Sequence, residues 1–164
     1  MIVYLVRHGI AIDRDNPKCP PEPERFLTAE GVKKSRGVAL GLKAIGAKPD
    51  VFLTSPYVRA AQTAEIFAEA LGFSAEKIRA SDALKPGGNP SIAIQEILRI
   101  RAKELFCFGH APHLDQVVAQ LVGSKGVFTE LKKAGVVCLE HATAQARWNL
   151  LWLLTPKMLR QLSK

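Results

Sequence analysis

The chain has 164 residues, 48% of them apolar, and carries 23 Lys and Arg against 15 Asp and Glu for a formal net charge of +8. This composition excludes an intrinsically disordered chain, and only 12 Gly and 3 Cys exclude a collagen-like repeat and a disulfide scaffold. The positive balance leaves nucleic acid, an acidic membrane surface and a phosphate-bearing substrate open as partners.

The excess charge is uneven: residues 1–82 hold 12 basic and 10 acidic side chains, residues 83–164 hold 11 and 5. No run of five like charges occurs, so a scattered solvated surface is expected rather than a tail that grips nucleic acid. Cys19, Cys107 and Cys138 form no CxxC and no finger-like Cys/His spacing, which predicts neither a disulfide framework nor a metal site. Cys107 and Cys138 lie in apolar runs and read as buried, reduced thiols. Met1–Arg7 has no basic n-region, and Leu150–Leu154 is too short to span a bilayer, so a soluble cytoplasmic protein is expected, with no membrane partner.

In chain order, residues 2–6 form a continuous β-rich run, as in a strand buried on both faces. A loop follows with Pro17, Pro20, Pro21 and Pro23. Thr28 can cap a helix running to about Ile45, with Val32, Leu40 and Leu42 as inward positions. Val51–Thr54 is the second strand; Ser55-Pro56 reads as an N-cap followed by proline at the first helical position, opening a helix that Gly72 stops. A weak strand near residues 78–80 leads to the Pro86–Pro90 loop, and Ser91 to about Lys103 is helical, with Ile94, Ile97, Leu98 and Arg101 on one face. Then come a strand at 105–108, a helix at 114–122, a strand at 136–140 and a last strand from Ala146 to Leu154. A short loop at residues 142–144 makes the last two an antiparallel hairpin. The expected fold is a single α/β domain over 1–164: three layers around a mostly parallel sheet with one antiparallel edge strand.

Ligands of open α/β sheets sit beyond the carboxyl ends of the strands. Arg7-His8-Gly9, Ser55-Pro56 with Arg59, and Gly109-His110-Ala111-Pro112-His113 all fall at such ends. If those strands are neighbours, two Arg and two His converge on one pocket. Two guanidinium forks suit a phosphoryl dianion, and a neutral imidazole is a capable nucleophile near pH 7. No Ser or Cys nucleophile motif competes and no carboxylate cluster suggests metal-bound water, so metal-free phosphoryl transfer through histidine is expected, without a cofactor.

Four blocks resemble those of the histidine phosphatase (phosphoglycerate mutase-like) superfamily: Leu5–Ala11 its RHG signature, Leu27–Gly31 its LTxxG segment, Thr54–Ala64 its SPxxRAxQTA block and Gly109–Leu114 its GHxPxL block. The short chain, the RHGxA form and Leu84-Lys85-Pro86 without an acid look most like SixA-type phosphohistidine phosphatases. The resemblance implies that His8 takes the phosphoryl group while Arg7, Arg59 and His110 bind its oxygens, with Gly9 in the phosphate loop and Thr28 and Ser55 in supporting positions. It also implies a phosphorylated protein as substrate, such as the phosphotransfer domain of a histidine kinase.

Many superfamily members place a Glu after the third strand to protonate the leaving oxygen, yet residues 84–89 contain no carboxylate. A positioned acid contributes about 10²–10⁴-fold for an alkoxide, whereas a phosphorylated imidazole departs without one, so phosphoramidates are favoured over sugar phosphates. Asp13, Asp15, Glu22 and Glu24 stay open as donors. Phosphatases of small esters or of phosphoserine and phosphothreonine, and a catalytically silent phosphate-binding module, remain alternatives. His113 reads as a cap or rim residue, His141 as exposed and Arg25 as solvated or substrate-facing. Lys132, Lys133, Lys157, Arg160 and Lys164 read as a solvated face, with docking of an acidic partner as the second possibility.

Overall fold

The protein is described by a computed structural model over residues 1–142 and 147–163. Six strands, β1 (Ile2–Arg7), β2 (Val51–Thr54), β3 (Arg79–Ala80), β4 (Glu104–Gly109), β5 (Val136–Ala142) and β6 (Arg147–Leu154), form one sheet in the order β3-β2-β4-β1-β5-β6. The first four strands of that order run parallel; β5 runs antiparallel to both β1 and β6, so the antiparallel edge is the β5–β6 hairpin. Residues 143, 144 and 146, which the sequence assigns to the hairpin loop and the start of the last strand, lie outside the described residues, as does Lys164.

Strand alternation divides the core in two. Tyr4, Val6, Phe52, Phe106 and Phe108 point to one face, covered by α1 (Ala29–Ala44), α2 (Val58–Leu71) and α5 (Pro156–Gln161). Val3, Leu5, Leu53, Leu105 and Cys107 point to the other, covered by α3 (Pro90–Arg99) and α4 (His113–Leu121). The first face is aromatic: Tyr4 stacks on Phe106 at 4.2 Å and Phe52 on Phe73 at 4.5 Å between ring centroids. Each fully buried Phe contributes roughly 1.5–3 kcal/mol of apolar burial. Cys107 and Cys138 are buried free thiols, and burial pushes the Cys138 thiol up to about 12.

Three local expectations are corrected. On α1, Val32 and Leu40 are 38% and 41% exposed; the buried stripe is Gly31, Ser35, Val38, Ala39 and Leu42. That face admits glycines because backbone presses on it. A Cβ on Gly31 would lie 2.1 Å from the Ile10 carbonyl oxygen, and one on Gly41 2.0 Å from that of Leu159 in α5. The third helix ends at Arg99 rather than near Lys103, leaving Leu98 exposed and Arg101 outside it. The chain must extend to enter β4, and the Asp50 carboxylate holds it there by accepting from the N–H groups of Lys103 (2.8 Å) and Glu104 (2.9 Å). The second helix starts at Val58, two residues after Ser55-Pro56. A helix not expected from the sequence, α5, follows β6 at the cap-and-proline start Thr155-Pro156: the Thr155 side chain accepts from Met158 N–H.

No helix of the described residues is long and apolar enough to cross a membrane.

Candidate active site

The parallel registers bring three strand ends together. Arg7 pairs with Gly109 across β1 and β4, and Thr54 pairs with Phe108 across β2 and β4. The next residues therefore leave the sheet side by side: His8 N–H donates to the Gly109 carbonyl (3.0 Å) and Ser55 N–H to that of Phe108 (2.8 Å). Arg7, His8, Arg59 and His110 all line one cavity of about 360 Å³, walled also by Arg14, Glu22, Arg25, Pro86, Ala111 and Lys133. Gly9 lies behind it, its N–H donating to Thr63 Oγ1 (3.0 Å); a Cβ there would come 2.5 Å from Ser35 Oγ. Thr28 and Ser55 are outside the lining and act on its frame. Thr28 caps α1, its Oγ1 accepting from Gly31 N–H (3.0 Å).

The His8 ring has a defined hydrogen-bond pattern. Nδ1 lies 2.7 Å from the Gly9 carbonyl oxygen, an acceptor only, so Nδ1 carries the proton. Nε2 then presents its lone pair, which accepts from Arg59 Nε at 3.3 Å. Burial, with the Arg59 and Arg7 charges, pulls the His8 imidazole down to about 3, so the ring is neutral near pH 7. His110 lies 5.1 Å from His8 between ring centroids, is likewise held neutral by burial and by His8 and Arg59, and has its Nε2 2.9 Å from Ser55 Oγ. Ser55 Oγ also accepts from Tyr57 N–H (3.3 Å), which is the work this serine does in place of opening the helix. Buried Arg7 Nε and His110 Nδ1 have no hydrogen-bond partner among the described residues, at about 1–3 kcal/mol each. Ser35 Oγ and both ring nitrogens of His113, outside the lining, are likewise buried without a partner among the described residues.

The frame joins a threonine of the second-strand block, Thr63, to two residues that no motif covers, Asp115 and Ala134. Asp115, buried in α4, accepts from Thr129 Oγ1 (2.8 Å) and Leu131 N–H (2.9 Å), and the Leu131 carbonyl accepts from Arg7 Nη1 (2.7 Å). Ala134, at a left-handed φ of 61°, directs its N–H to the carbonyls of both Arg7 (3.1 Å) and His8 (3.0 Å). Thr63 Oγ1, besides holding Gly9, donates to the Arg59 carbonyl (2.7 Å). A buried Asp among apolar α4 neighbours was the readable signal; nothing in the sequence marks Ala134.

Glu22 departs furthest from expectation. Its carboxylate meets Arg59 Nη2 (2.9 Å), Arg14 Nε (3.0 Å) and Arg25 Nη1 (3.2 Å). Hydrogen bonding to Arg14, with Arg59 and Arg25 adding, holds it down at about 2. An ionised carboxylate shared by three guanidiniums holds no proton to donate at neutral pH. Asp13, Asp15 and Glu24 are exposed and do not line the cavity. His113 is buried rather than on the rim, and His141 is half-buried against Trp148 at 4.9 Å. Arg25 is half-buried and donates to the Ile12 carbonyl (2.7 Å) as well as to Glu22. Among the described residues, no three His, Cys, Asp or Glu side chains group as metal ligands.

Histidines held neutral make stability depend on pH. The unfolded chain takes up these protons as pH falls below about 6.5, while the folded His8 and His110 refuse them until near pH 3 or lower. Their contribution is complete above 6.5 and is lost as pH falls; at pH 5 the loss is on the order of 2 kcal/mol for each, and His113, lowered by burial, adds in the same direction. Calorimetry in phosphate-free buffer is expected to find Tm lower by roughly 8–16 °C at pH 5 than at pH 7. A flat Tm over that range contradicts the neutral-histidine assignment.

Residues 3–86 match the family described as histidine phosphatase superfamily (branch 1). An uncharacterized protein of Picosynechococcus sp. is 35% identical over 168 residues, covering 97% of this chain and 99% of its own. Among solved structures, the protein histidine phosphatase SixA complexed with tungstate superposes with a TM-score of 0.84 at 23% identity, over 97% of this chain and 99% of that one. A phosphoserine phosphatase from Entamoeba histolytica, in complex with phosphoserine, has a TM-score of 0.73 at 14% identity, over 95% and 98%. These two identities speak for the fold alone.

Proposed function

The chain belongs to the histidine phosphatase superfamily (branch 1), and from that premise we propose that it removes the phosphoryl group from histidine side chains of a phosphorylated protein. His8 Nε2 attacks phosphorus in line, the bond from phosphorus to the substrate nitrogen breaks, and the electron pair leaves with the imidazole. A covalent phosphohistidine forms on His8. Water then attacks the same phosphorus, the bond to Nε2 breaks and inorganic phosphate departs. Arg7 and Arg59 hold the equatorial oxygens through both displacements, and His110, steadied by Ser55, supports the charge that gathers on them. Arg59 exchanges the Glu22 carboxylate for phosphoryl oxygens when substrate enters.

The observation that carries this reading is the state of Glu22. It is the carboxylate lining the cavity, and Arg14 and Arg25 still hold it ionised once Arg59 turns to the phosphoryl group. An alkoxide leaving group would go unprotonated here, whereas a phosphohistidine ring takes a proton on its other nitrogen from solvent near neutral pH and departs as neutral imidazole. The SixA neighbour, named a protein histidine phosphatase, supports the same choice of substrate.

A substrate panel tests it. kcat/KM for a phosphohistidine peptide is expected to exceed that for glucose 6-phosphate or phosphoserine by at least about 10²-fold, the contribution of the missing acid. Equal or reversed values assign the site to phosphate esters.

A further inference from the structure

A second groove lies beside the catalytic cavity. It encloses about 520 Å³ and shares two residues with that cavity, Arg7 and Lys133. Beyond them it is lined by Lys34 of α1, Lys132 of the loop before β5, and Lys157 and Arg160 of α5, with Glu130 as the single carboxylate. Ile10 and Pro156 supply apolar surface among these charges.

The cations come from three separate elements, so no single run of sequence announces them. Lys34 is paired with Glu30 and Lys132 with Glu130. Lys133, Lys157 and Arg160 have no carboxylate partner among the described residues. Arg160 is also seated: its side-chain stem lies against α1 at Gly37, where an added Cβ would come 2.9 Å from Arg160 Cγ. A glycine in the middle of a helix weakens it relative to alanine, and at half-buried Gly37 the missing methyl leaves room for the arginine stem. The excess of +6 in the second half of the chain is thus partly gathered beside the site where phosphorus reacts.

We propose that this groove docks an acidic segment flanking the phosphorylated histidine, so that charge complementarity selects the phosphoprotein. The proposal rests on the phosphohistidine reading for the residue in the cavity and adds the chemistry of the chain around it. Apolar surface from Ile10 and Pro156 between the cations, in a chain with no run of five like charges, fits an amphipathic acidic peptide better than a nucleic-acid backbone. Charges at such a rim act mainly on encounter and are screened by salt.

The test separates docking from catalysis. The probes are an acidic phosphohistidine peptide, a neutral-flanked one, free phosphohistidine and the acidic peptide without phosphate. The variant is Lys132→Glu with Lys157→Glu, two exposed residues outside the catalytic cavity. The unphosphorylated acidic peptide is expected to bind wild type by fluorescence anisotropy and to lose at least 10-fold in affinity in the variant. The acidic phosphopeptide is expected to lose at least 10-fold in kcat/KM in the variant and in 0.5 M salt, with the neutral peptide and free phosphohistidine changed less than 2-fold. Equal loss on every substrate, no advantage of acidic over neutral flanks, or tighter binding of a duplex DNA of matched charge overturns the docking proposal. Peptide binding that follows the groove charges without any turnover of phosphohistidine overturns the function proposed above and leaves the docking surface standing.

Discussion

Replacing His8 with Ala is expected to lower kcat on a phosphohistidine peptide by on the order of 10³-fold or more and to abolish acid-labile ³²P labelling of the protein. Three features of the ring concentrate that effect in one atom. The Gly9 carbonyl fixes the proton on Nδ1, burial beside Arg59 and Arg7 keeps the ring neutral, and Arg59 Nε holds Nε2 facing the cavity. Losing this ring removes the proposed nucleophile, and no Ser or Cys lines the cavity to replace it.

The loss is chemical rather than structural. The backbone of residue 8 stays tied to Gly109 and Ala134 whatever its side chain, so circular dichroism and Tm at pH 7 are expected to change little. Rapid-quench labelling gives the sharper answer. Wild type should form a phosphoenzyme that is stable in alkali and labile in acid, and His8→Ala none. A label that persists in the variant and maps to His110, whose ring centre is 5.1 Å away, would reassign the nucleophile.

Much of this site is legible before any coordinates because its chemistry is coded locally. Arg7-His8-Gly9, Ser55–Arg59 and Gly109-His110 each end a strand, and parallel pairing of β2, β4 and β1 is enough to bring them together. The strands themselves are readable because both of their faces are buried, which leaves uninterrupted apolar runs. What escapes is set by contacts between distant segments. The inward face of α1 is lined with glycine and serine because the Ile10 and Leu159 backbones press on it, so counting apolar residues selects Val32 and Leu40 instead. Glu22 reads as a free acid on a proline-rich loop until Arg14, Arg25 and Arg59 are found around it. The Asp115–Leu131–Arg7 relay joins α4, a loop and β1, and no motif spans that separation.

Arg59→Ala is expected to lower kcat/KM by about 10²–10³-fold, the scale for removing a preorganised charge from a developing transition state. Arg59→Lys should restore little of it. The guanidinium divides its nitrogens among three tasks: Nε to His8 Nε2 at 3.3 Å, Nη1 to the Glu22 carbonyl at 2.9 Å and Nη2 to the Glu22 carboxylate at 2.9 Å. An ammonium on a flexible stem can meet one of these at a time and cannot grip two phosphoryl oxygens in a plane. Arg14→Ala supplies the contrast. Arg14 meets the same Glu22 carboxylate from the cavity's outer wall, but it is 71% exposed and hydrogen-bonds neither histidine, so kcat should stay within a few-fold of wild type. The two variants also separate in pH behaviour. Arg59 is one of the charges that hold His8 low, so its removal should raise the His8 pKa, visible in the ring ¹⁵N shifts on titration. Arg14→Ala should leave that titration where it was. Full activity in Arg59→Lys, or equal losses in Arg14→Ala and Arg59→Ala, would mean that the cavity needs net positive charge and not this fork beside Nε2.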